Sequence, residues 1–298
     1  GIRDSVASRG LGDVYKRQGY IACIYSMALT WNLLLDFNIF LRLLACHVEA
    51  TIFIYLLSVA FNNSSWYDAF WSVIPVVLTI LCWMDIHAEG NGLRAALMFS
   101  VMIFWAIRLT YNWARSWEGF SHEDWRYIMM KAKASNKFQY FLTDFGAIHL
   151  IPTLSVFLAL LPMNYTLYYP GPELFWLDWV AFAIGISAVI IQIISDQQMY
   201  NFRKSLTKPQ TMQSGLWFYS RHPNYLGEIL FWFSFFIFSL SNGFGAFWLI
   251  IGTITMYALV AIMSVAMMDN RSLQRRDDFK AYMDSTPPIF FNFFKRKI

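Results

Sequence analysis

A run of polar side chains near residue 200 lies at helical spacing in an otherwise apolar stretch of the chain. Gln192, Asp196, Tyr200 and Arg203 are separated by four, four and three residues. Residues at these offsets lie on one face of a helix. The pattern therefore predicts a polar stripe that runs from an apolar segment out to a basic loop.

The segment after this stripe leads into a second helix. Pro223 suits the first turn of that helix, which places Asn224 and Glu228 one turn apart on one face. Arg221 and His222 stand just before it, where a helix N-terminus attracts anions. Because the intervening loop carries Lys and Arg and no acid, we predict that it holds a phosphate-rich cofactor. Membrane topology alone is the alternative explanation for the charges.

The composition is that of a membrane protein. Of the 298 residues, 57% are hydrophobic, 19% are aromatic and 14% are charged, whereas soluble domains carry roughly 45–50% apolar and about 25% charged residues. The mean hydropathy is +0.42, and the apolar residues form long runs. These values disfavour a disordered chain, a solenoid and a nucleic-acid-binding domain.

The apolar runs predict an all-α polytopic bundle. A membrane-spanning helix needs about 20 mostly apolar residues. The candidate runs are 20–35, 39–61, 69–84, 93–111, 145–163, 174–196, 225–241 and 244–267. The third and seventh are short and Pro75 kinks the third, so we expect seven or eight transmembrane helices.

The basic residues predict the orientation of the bundle. They concentrate in three segments, at 112–140, at 197–225 and from residue 269 onward. Two predicted spans separate each segment from the next, so all three lie on one side, which the positive-inside rule assigns to the cytoplasm. We therefore expect cytoplasmic cofactor-binding loops and a cytoplasmic C-terminus. The membrane is that of the endoplasmic reticulum or a bacterial inner membrane.

Glu49 is a candidate catalytic group because it lies near the middle of an apolar run. Ionisable residues at such depth are costly and mark functional sites. A carboxyl group kept neutral in a dry pocket can donate a hydrogen bond to a substrate oxygen. The alternative is a structural pair with Arg42 or His47.

Two further polar segments, HEDWRY (122–127) and NNSSWYD (62–68), lie between apolar runs. The first could order the adenine-ribose end of a cofactor, contribute a proton donor, or form a salt-bridged lid. In the second, Asp68 could be a helix cap or part of a pocket rim.

Residues 1–18 differ in composition from the rest, and the chain does not start with Met. This stretch resembles translated sequencing-adaptor readthrough, so we exclude it from fold reasoning and treat 19–298 as a single membrane domain. Cys23, Cys46 and Cys82 show no metal-ligand spacing and are expected to be buried structural thiols, with no metal site.

Several segments together resemble the steroid 5-alpha-reductase family. SRHPNYLGE, an apolar hairpin and MMDNRSLQRRDDFKAYM are similar to the C-terminal region of that family. NNSSWYDAFWSVIP, IRLTYNWARSWEGFSHEDWRY and FGAIHLIPTLSVF resemble its uncharacterised-domain branch, so the resemblance runs from about residue 40 to the end. RHPNYLGE alone also resembles a segment of isoprenylcysteine carboxyl methyltransferases.

The resemblance implies a membrane reductase with NADPH in a cavity that opens to the cytosol. It assigns cofactor contacts to Asp196, Arg203, Asn224 and Glu228. Further residues expected to line the site are Tyr219, His222 and Tyr225, and Gln192 stands where steroid reductases tend to have Asn. The family also implies a Glu and a Tyr that polarise the substrate carbonyl. Glu49 matches the Glu, and Tyr111 and Tyr127 are the candidates for the Tyr.

We therefore expect NADPH-dependent reduction of an activated carbon–carbon double bond in a lipophilic substrate such as a steroid, sterol, isoprenoid or enone lipid. The substrate would enter from the membrane lipid, and no nucleic acid would bind. One alternative is a membrane methyltransferase that uses S-adenosylmethionine. A second is a non-catalytic lipid-binding membrane protein.

Overall fold

The computed structural model describes residues 2–85, 92–169, 171, 173–205 and 210–294. Every regular element in these ranges is helical, and none of them contains a strand. The first four helices are α1 (Ile2–Leu33), α2 (Ile39–Ala60), α3 (Phe70–Met84) and α4 (Gly92–Ala114). A short 3₁₀ turn, Ser64–Tyr67, joins α2 to α3.

The middle of the chain forms one long helical span with an irregular section. Helix α5 (Trp125–Lys131) precedes α6 (Lys137–Phe141), a π-helical segment (Leu142–Leu150) and α7 (Ile151–Tyr168). The last three are continuous, and together they make a helix from Lys137 to Tyr168.

The C-terminal helices are α8 (Trp176–Lys204), α9 (Leu216–Tyr219) and α10 (Pro223–Leu240). A second continuous helix, Phe244–Arg275, contains α11 (Ile250–Ala258), a π-helical segment (Leu259–Ser264) and α12 (Val265–Arg275). The last is α13 (Phe279–Ser285).

Six helices within the described residues are long and apolar enough to cross a membrane. They are Ile39–Ala60, Gly92–Ala114, Lys137–Tyr168, Trp176–Lys204, Pro223–Leu240 and Phe244–Arg275. Helix α3 is apolar but has only 15 residues. The predicted run 20–35 is the second half of α1, which is not among the six. The prediction of an all-α, multi-pass membrane protein is confirmed.

The chain divides into two compact units. The N-terminal unit comprises residues 1–89 and 105–168, and the C-terminal unit comprises residues 90–104 and 169–298. Helix α4 therefore contributes residues to both.

The N-terminal unit has an aromatic interior that is fastened by buried polar contacts. Trp66, Tyr67 and Phe70 are almost completely buried. Arg42 forms an ion pair with Asp85 at 2.6 Å. The three cysteines are buried free thiols, as predicted.

The C-terminal unit is built on the close packing of α8 against α10. Phe231, Trp232 and Phe235 are buried in this unit, and aromatic side chains bury roughly 150–250 Å² each. Arg94 and Asp178 form a bidentate ion pair with N–O distances of 2.8 and 2.9 Å. Because both side chains are buried, this pair fixes the start of α8 to the start of α4.

Candidate functional site

The predicted polar stripe on α8 meets the predicted polar face of α10. Gln192 Nε2 donates a hydrogen bond to Glu228 Oε2 at 2.9 Å. The other carboxylate oxygen of Glu228 accepts from Trp232 Nε1 at 3.0 Å. Two residues that the sequence placed on separate helices are thus joined directly.

A glycine allows the two helices to approach this closely. A Cβ atom on Gly227 would lie 2.5 Å from Gln192 Cγ and 2.8 Å from the Ala188 carbonyl oxygen. Real Cβ atoms do not approach backbone oxygens at such distances, so α8 and α10 would have to move apart. Gly227 therefore sets the distance over which Gln192 reaches Glu228.

Two amide oxygens at this junction are buried and have no hydrogen-bond partner. They are Gln192 Oε1 and Asn224 Oδ1. Buried polar atoms are usually paired, and leaving one unpaired costs roughly 1–3 kcal/mol. Asn224 precedes Glu228 by one helical turn, so a carboxylate and two acceptor oxygens cluster at the start of α10. Such a set can accept hydrogen bonds from hydroxyl or amide donors of a ligand.

The residues before α10 are held by an acid from α12. Asp269 accepts from Arg221 Nη2 at 2.7 Å and from His222 Nε2 at 2.9 Å. Burial disfavours ionised Asp269, but two donors on one carboxylate compensate for this. Asp269 was not among the predicted site residues, because it lies 47 residues from His222 and shares no helical pattern with it.

Arg221 has both terminal nitrogens of its guanidinium bonded inside the protein, while its Nε atom is buried without a hydrogen-bond partner. Its Nη1 donates to the carbonyl oxygens of Met283 and Thr286, in addition to the Asp269 contact. Its backbone N–H donates to Pro287 O at 3.0 Å. Arg221 was predicted as a cofactor-binding residue, and the structure places it as the tie between α10 and the segment after α13.

The segment after α13 wraps around α9. Ser220 Oγ donates to Ile289 O at 2.8 Å, and Asn292 N donates to Tyr219 O at 3.0 Å. The hydroxyl of Tyr282 donates to the carbonyl oxygen of Trp217. Burial raises the pKa of Tyr282 above its ordinary range, so this phenol stays a donor at neutral pH.

The opposite side of α9 is tied to the end of α8. Gly215 has a φ of 62° and precedes Leu216, whose N–H donates to Gln198 Oε1 at 3.0 Å. The indole nitrogen of Trp217 donates to Ser195 O at 3.1 Å. These contacts hold Tyr219 near the entrance of α10.

The three aromatic or imidazole residues predicted to line the site lie around this entrance. His222 stacks on Tyr225 with a centroid distance of 5.3 Å. Tyr219 contacts Phe291 and Phe293 at centroid distances of 6.5 and 5.7 Å. His222 and Tyr225 therefore belong to the Asp269 network, and Tyr219 belongs to the C-terminal aromatic cluster.

The C-terminal part of the polar stripe on α8 is accessible to solvent. Asp196 and Tyr200 are partly buried and Arg203 is exposed. The ammonium of Lys204 lies 4.5 Å from the ring centroid of Tyr200. The stripe thus changes from the buried Gln192 to an exposed cationic end. Lys208, in the predicted basic loop, lies outside the described residues.

Glu49 is in the N-terminal unit, where its partner is Ser26. The Ser26 hydroxyl donates to Glu49 Oε1 at 2.6 Å, and Glu49 Oε2 is buried with no partner. Arg42 binds Asp85 instead, and His47 stacks on Phe70 at 5.6 Å. The alternative of a structural pair with Arg42 or His47 is therefore wrong.

The two candidate tyrosines differ in environment. The side chain of Tyr111 is 64% exposed, whereas Tyr127 is buried near the carboxylate of Asp68. Burial and the neighbouring carboxylate raise the pKa of Tyr127 well above its ordinary value. Only Tyr127 lies within a cluster of polar groups.

HEDWRY and NNSSWYD pack against each other. Glu123 Oε1 accepts from the Ser64 N–H and from Lys131 Nζ, both at 2.6 Å. Asp124 caps α5 by accepting from Arg126 N at 2.8 Å. Three roles were left open for HEDWRY. The ion pair of Glu123 and the capping bond of Asp124 are the contacts expected of the salt-bridged lid.

Asp68 does not cap α3. Its side chain makes no capping hydrogen bond there, and the residue before α3 is Ala69. The capping role in this segment belongs to Asn63, whose Oδ1 accepts from Ser65 N at 2.9 Å. Burial raises the pKa of Asp68 to about 6, against the opposing effect of the Lys16 ammonium.

Comparison with known proteins adds family membership. The chain is similar to the uncharacterized protein C594.04c of Schizosaccharomyces pombe, with 25% identity over 205 residues. The aligned region covers 61% of this chain and 59% of that relative. The match therefore spans about three-fifths of the relative's length. No solved structure matches the chain. A family model described as "Protein of unknown function (DUF1295)" matches residues 54–286, and the chain belongs to this family.

Proposed function

We propose that this protein is a membrane-embedded reductase that uses NADPH to reduce an activated carbon–carbon double bond in a lipophilic substrate. The observation that carries the proposal is the pair of unpartnered amide oxygens, Gln192 Oε1 and Asn224 Oδ1, beside the carboxylate of Glu228. The resemblance to steroid 5-alpha-reductases supports the same assignment. A steroid, sterol, isoprenoid or enone lipid fits the proposed substrate class.

The donors of a nicotinamide dinucleotide match the acceptors at the start of α10. Ribose hydroxyls and the carboxamide NH₂ are hydrogen-bond donors, and Gln192 and Asn224 each offer a buried oxygen. When bound, NADPH supplies the hydride. Glu228 orients the Gln192 amide, because it accepts from the Nε2 atom and leaves the oxygen for the ligand.

The charges near the site suit the phosphates. Arg203 and Lys204 end α8 and are exposed, while the N-terminus of α10 presents the positive end of its helix dipole. Asp269 occupies one terminal nitrogen of Arg221, whose Nε has no partner, so we assign the phosphate contacts to Arg203 and its neighbours and keep Arg221 as a further candidate contact.

By the resemblance, Glu49 is the candidate for the acid that polarises the substrate carbonyl. Glu49 Oε2 is buried without a partner, and a protonated carboxyl group there has a free donor for a carbonyl oxygen. Tyr127 is the second candidate donor because burial keeps its phenol protonated.

The proposed topology has seven or eight helices, with α3 and the second half of α1 added to the six long spans. The basic segments face the cytosol by the positive-inside rule. The cofactor then enters from the cytosol and the substrate from the lipid, in the endoplasmic reticulum or a bacterial inner membrane.

Cofactor titration of the purified protein in detergent tests the proposal. NADPH should raise the unfolding temperature, since a ligand that binds only the folded state stabilises it. Asn224→Ala and Gln192→Ala should each weaken NADPH binding by about tenfold. Gln197→Ala is the matched control, because Gln197 lies on the same helix and pairs with Asn201.

Two outcomes would replace the proposal. Stabilisation by S-adenosylmethionine alone would favour the methyltransferase that RHPNYLGE also resembles. Absence of any cofactor effect, in a folded protein that retains lipid, would favour a non-catalytic lipid-binding role.

A further inference from the structure

A non-helical segment, residues 286–294, follows α13 and packs against two helices that are long enough to cross a membrane. Its Ile289 side chain is buried in an apolar cluster, and Phe291 packs against the same cluster. The other buried members belong to α10 and to the helix Phe244–Arg275, and they are Leu226, Ile229, Val260 and Val265. Val260 lies near the middle of its helix, so the segment contacts the flank of that helix and not only its end.

The length of α10 places this cluster at membrane depth. Helix α10 has 18 residues, and a rise of about 1.5 Å per residue gives it a length of about 27 Å. The hydrocarbon core of a bilayer is about 30 Å thick, so α10 crosses it only if nearly all of its residues lie inside. Leu226 and Ile229 belong to the first two turns of α10. The side chains that pack on them therefore lie at or below the hydrocarbon boundary.

The carbonyl groups of the segment are paired as an apolar medium requires. Lipid offers no hydrogen bonds, so irregular backbone at membrane depth must find its partners within the protein. Four successive carbonyl oxygens, those of residues 286–289, accept hydrogen bonds from Ser220 and Arg221. Two residues before α10 thus satisfy four acceptors of the segment.

Several donors of the segment are paired or missing. Pro287 and Pro288 have no backbone N–H group. The N–H of Asn292 donates to Tyr219 O at 3.0 Å, and the N–H of Phe294 donates to Asn292 Oδ1 at 3.1 Å. The sequence of the segment therefore reduces the number of backbone donors that need a partner.

Three phenylalanine side chains of the segment are on its outer surface. The exposed fractions are 59% for Phe290, 71% for Phe293 and 95% for Phe294. Exposed apolar groups that lie this close together mark an interaction surface. This surface is continuous with the flanks of the two helices, which are themselves expected to contact lipid.

We propose that residues 286–294 form a membrane-embedded anchor in which Phe290, Phe293 and Phe294 contact the acyl chains of bilayer lipids. Lipid is the occupant because the segment packs at the depth of the first turns of α10 and its carbonyl groups are paired within the protein. This placement differs from the cytoplasmic C-terminal segment that the basic residues predict. The anchor holds residues 219–222, and with them the entrance of α10, at the level of the membrane surface.

The depth of the segment can be measured with spin labels on the full chain in phosphatidylcholine vesicles. A nitroxide is attached to Phe293→Cys or, separately, to Phe290→Cys. Power-saturation EPR then measures collisions of the label with molecular oxygen, which concentrates in hydrocarbon, and with a polar nickel chelate, which stays in water. Lys280→Cys is the matched control, because that side chain is 69% exposed on the preceding helix α13. The three native cysteines are buried and should not take up the label.

We expect the ratio of oxygen collisions to nickel collisions to be several-fold higher at positions 290 and 293 than at position 280. A ratio equal to that at position 280 would place the segment in water and overturn the proposal. Dipolar broadening at position 293 that disappears on dilution with unlabelled protein would identify a second copy of the chain as the occupant, which would also overturn it.

A second substitution, Ser220→Ala, tests whether backbone pairing keeps the segment in the membrane. It removes the hydroxyl group that donates to Pro288 O and Ile289 O, and unpaired carbonyl oxygens are unfavourable in lipid. The label at position 293 should then collide more often with the nickel chelate, while the label at position 280 should not change. An unchanged collision ratio at position 293 in folded Ser220→Ala protein would overturn the part that the proposal gives to this pairing.

Discussion

Asp269 Oδ1 lies 2.9 Å from His222 Nε2, so the last residue before α10 is oriented by a carboxylate from α12. The same carboxylate binds Arg221 at 2.7 Å. The geometry of the proposed cofactor site therefore depends on a residue that touches none of the proposed cofactor-binding oxygens.

Asp269→Asn should lower the affinity for NADPH and the stability together. Breaking a buried ion pair by removing one charge costs roughly 3–5 kcal/mol, and the freed Arg221 and His222 no longer fix the start of α10. Thermal unfolding and NADPH titration measure the two effects. Asp284→Asn is the control. The Asp284 side chain is 60% exposed, so its ion pair with Lys280 contributes well under about 1 kcal/mol to stability. Equal effects of the two substitutions would contradict this assignment.

Gly227→Ala should destabilise the C-terminal unit. The added methyl would lie 2.8 Å from the Ala188 carbonyl oxygen, and overpacking of this kind costs about 1–3 kcal/mol. Because α8 and α10 must separate, the Gln192–Glu228 hydrogen bond should weaken and NADPH affinity should fall. Gly245→Ala, where no atom lies within 4 Å of the new Cβ, should leave both unchanged. Thermal unfolding in detergent measures the difference in stability between Gly227→Ala and Gly245→Ala.

Glu49→Gln should separate cofactor binding from turnover. General acid groups contribute typically about 10²- to 10⁴-fold to rate, so we expect a loss of NADPH oxidation in this range with lipophilic enones, at unchanged NADPH affinity. Glu118→Gln, on an exposed side chain, is the control. Full turnover by Glu49→Gln would transfer the role to Tyr127, which Tyr127→Phe then tests.

We expect the Asp68 carboxyl group to contribute more to the free energy of unfolding at low pH than at neutral pH. Its folded pKa is raised to about 6, above the unfolded value of about 3.9. Its favourable contribution is therefore complete below about pH 4 and is lost as the pH rises through about 6. Asp68→Asn should remove this dependence and stabilise the protein at pH 8 by about 1–3 kcal/mol. Unfolding temperatures of the two proteins that run parallel from pH 4 to pH 8 would contradict the prediction.

The helices themselves were predictable because burial in lipid demands long apolar runs. The runs at 39–61, 93–111 and 225–241 coincide closely with α2, α4 and α10, whereas α8 continues to Lys204, beyond the run at 174–196. The run at 145–163 gave no sign that the helix begins at Lys137, since Lys137, Gln139 and Asp144 interrupt the apolar sequence there. Helical spacing also placed Gln192 and Glu228 on the correct faces.

The contacts between distant segments were not predictable from spacing. The alternative interpretation of Glu49 was a pair with Arg42 or His47 on its own helix, yet its partner Ser26 lies on α1, 23 residues earlier. Asp269 was missed for the same reason. Side-chain spacing reports only neighbours on one helix, whereas the packing of two helices depends on the fit of their whole surfaces.

The bonds between α9 and the segment after α13 also determine when the proposed site can form during synthesis. Arg221 reaches a carbonyl group 65 residues further along the chain, and Tyr219 accepts from Asn292. Helices that emerge earlier from the ribosome can insert and pack before this segment exists. The entrance of α10 acquires its final partners only when nearly the whole chain has been made, so a ribosome-bound intermediate that stops before Met283 should be inserted in the membrane and still lack the finished site.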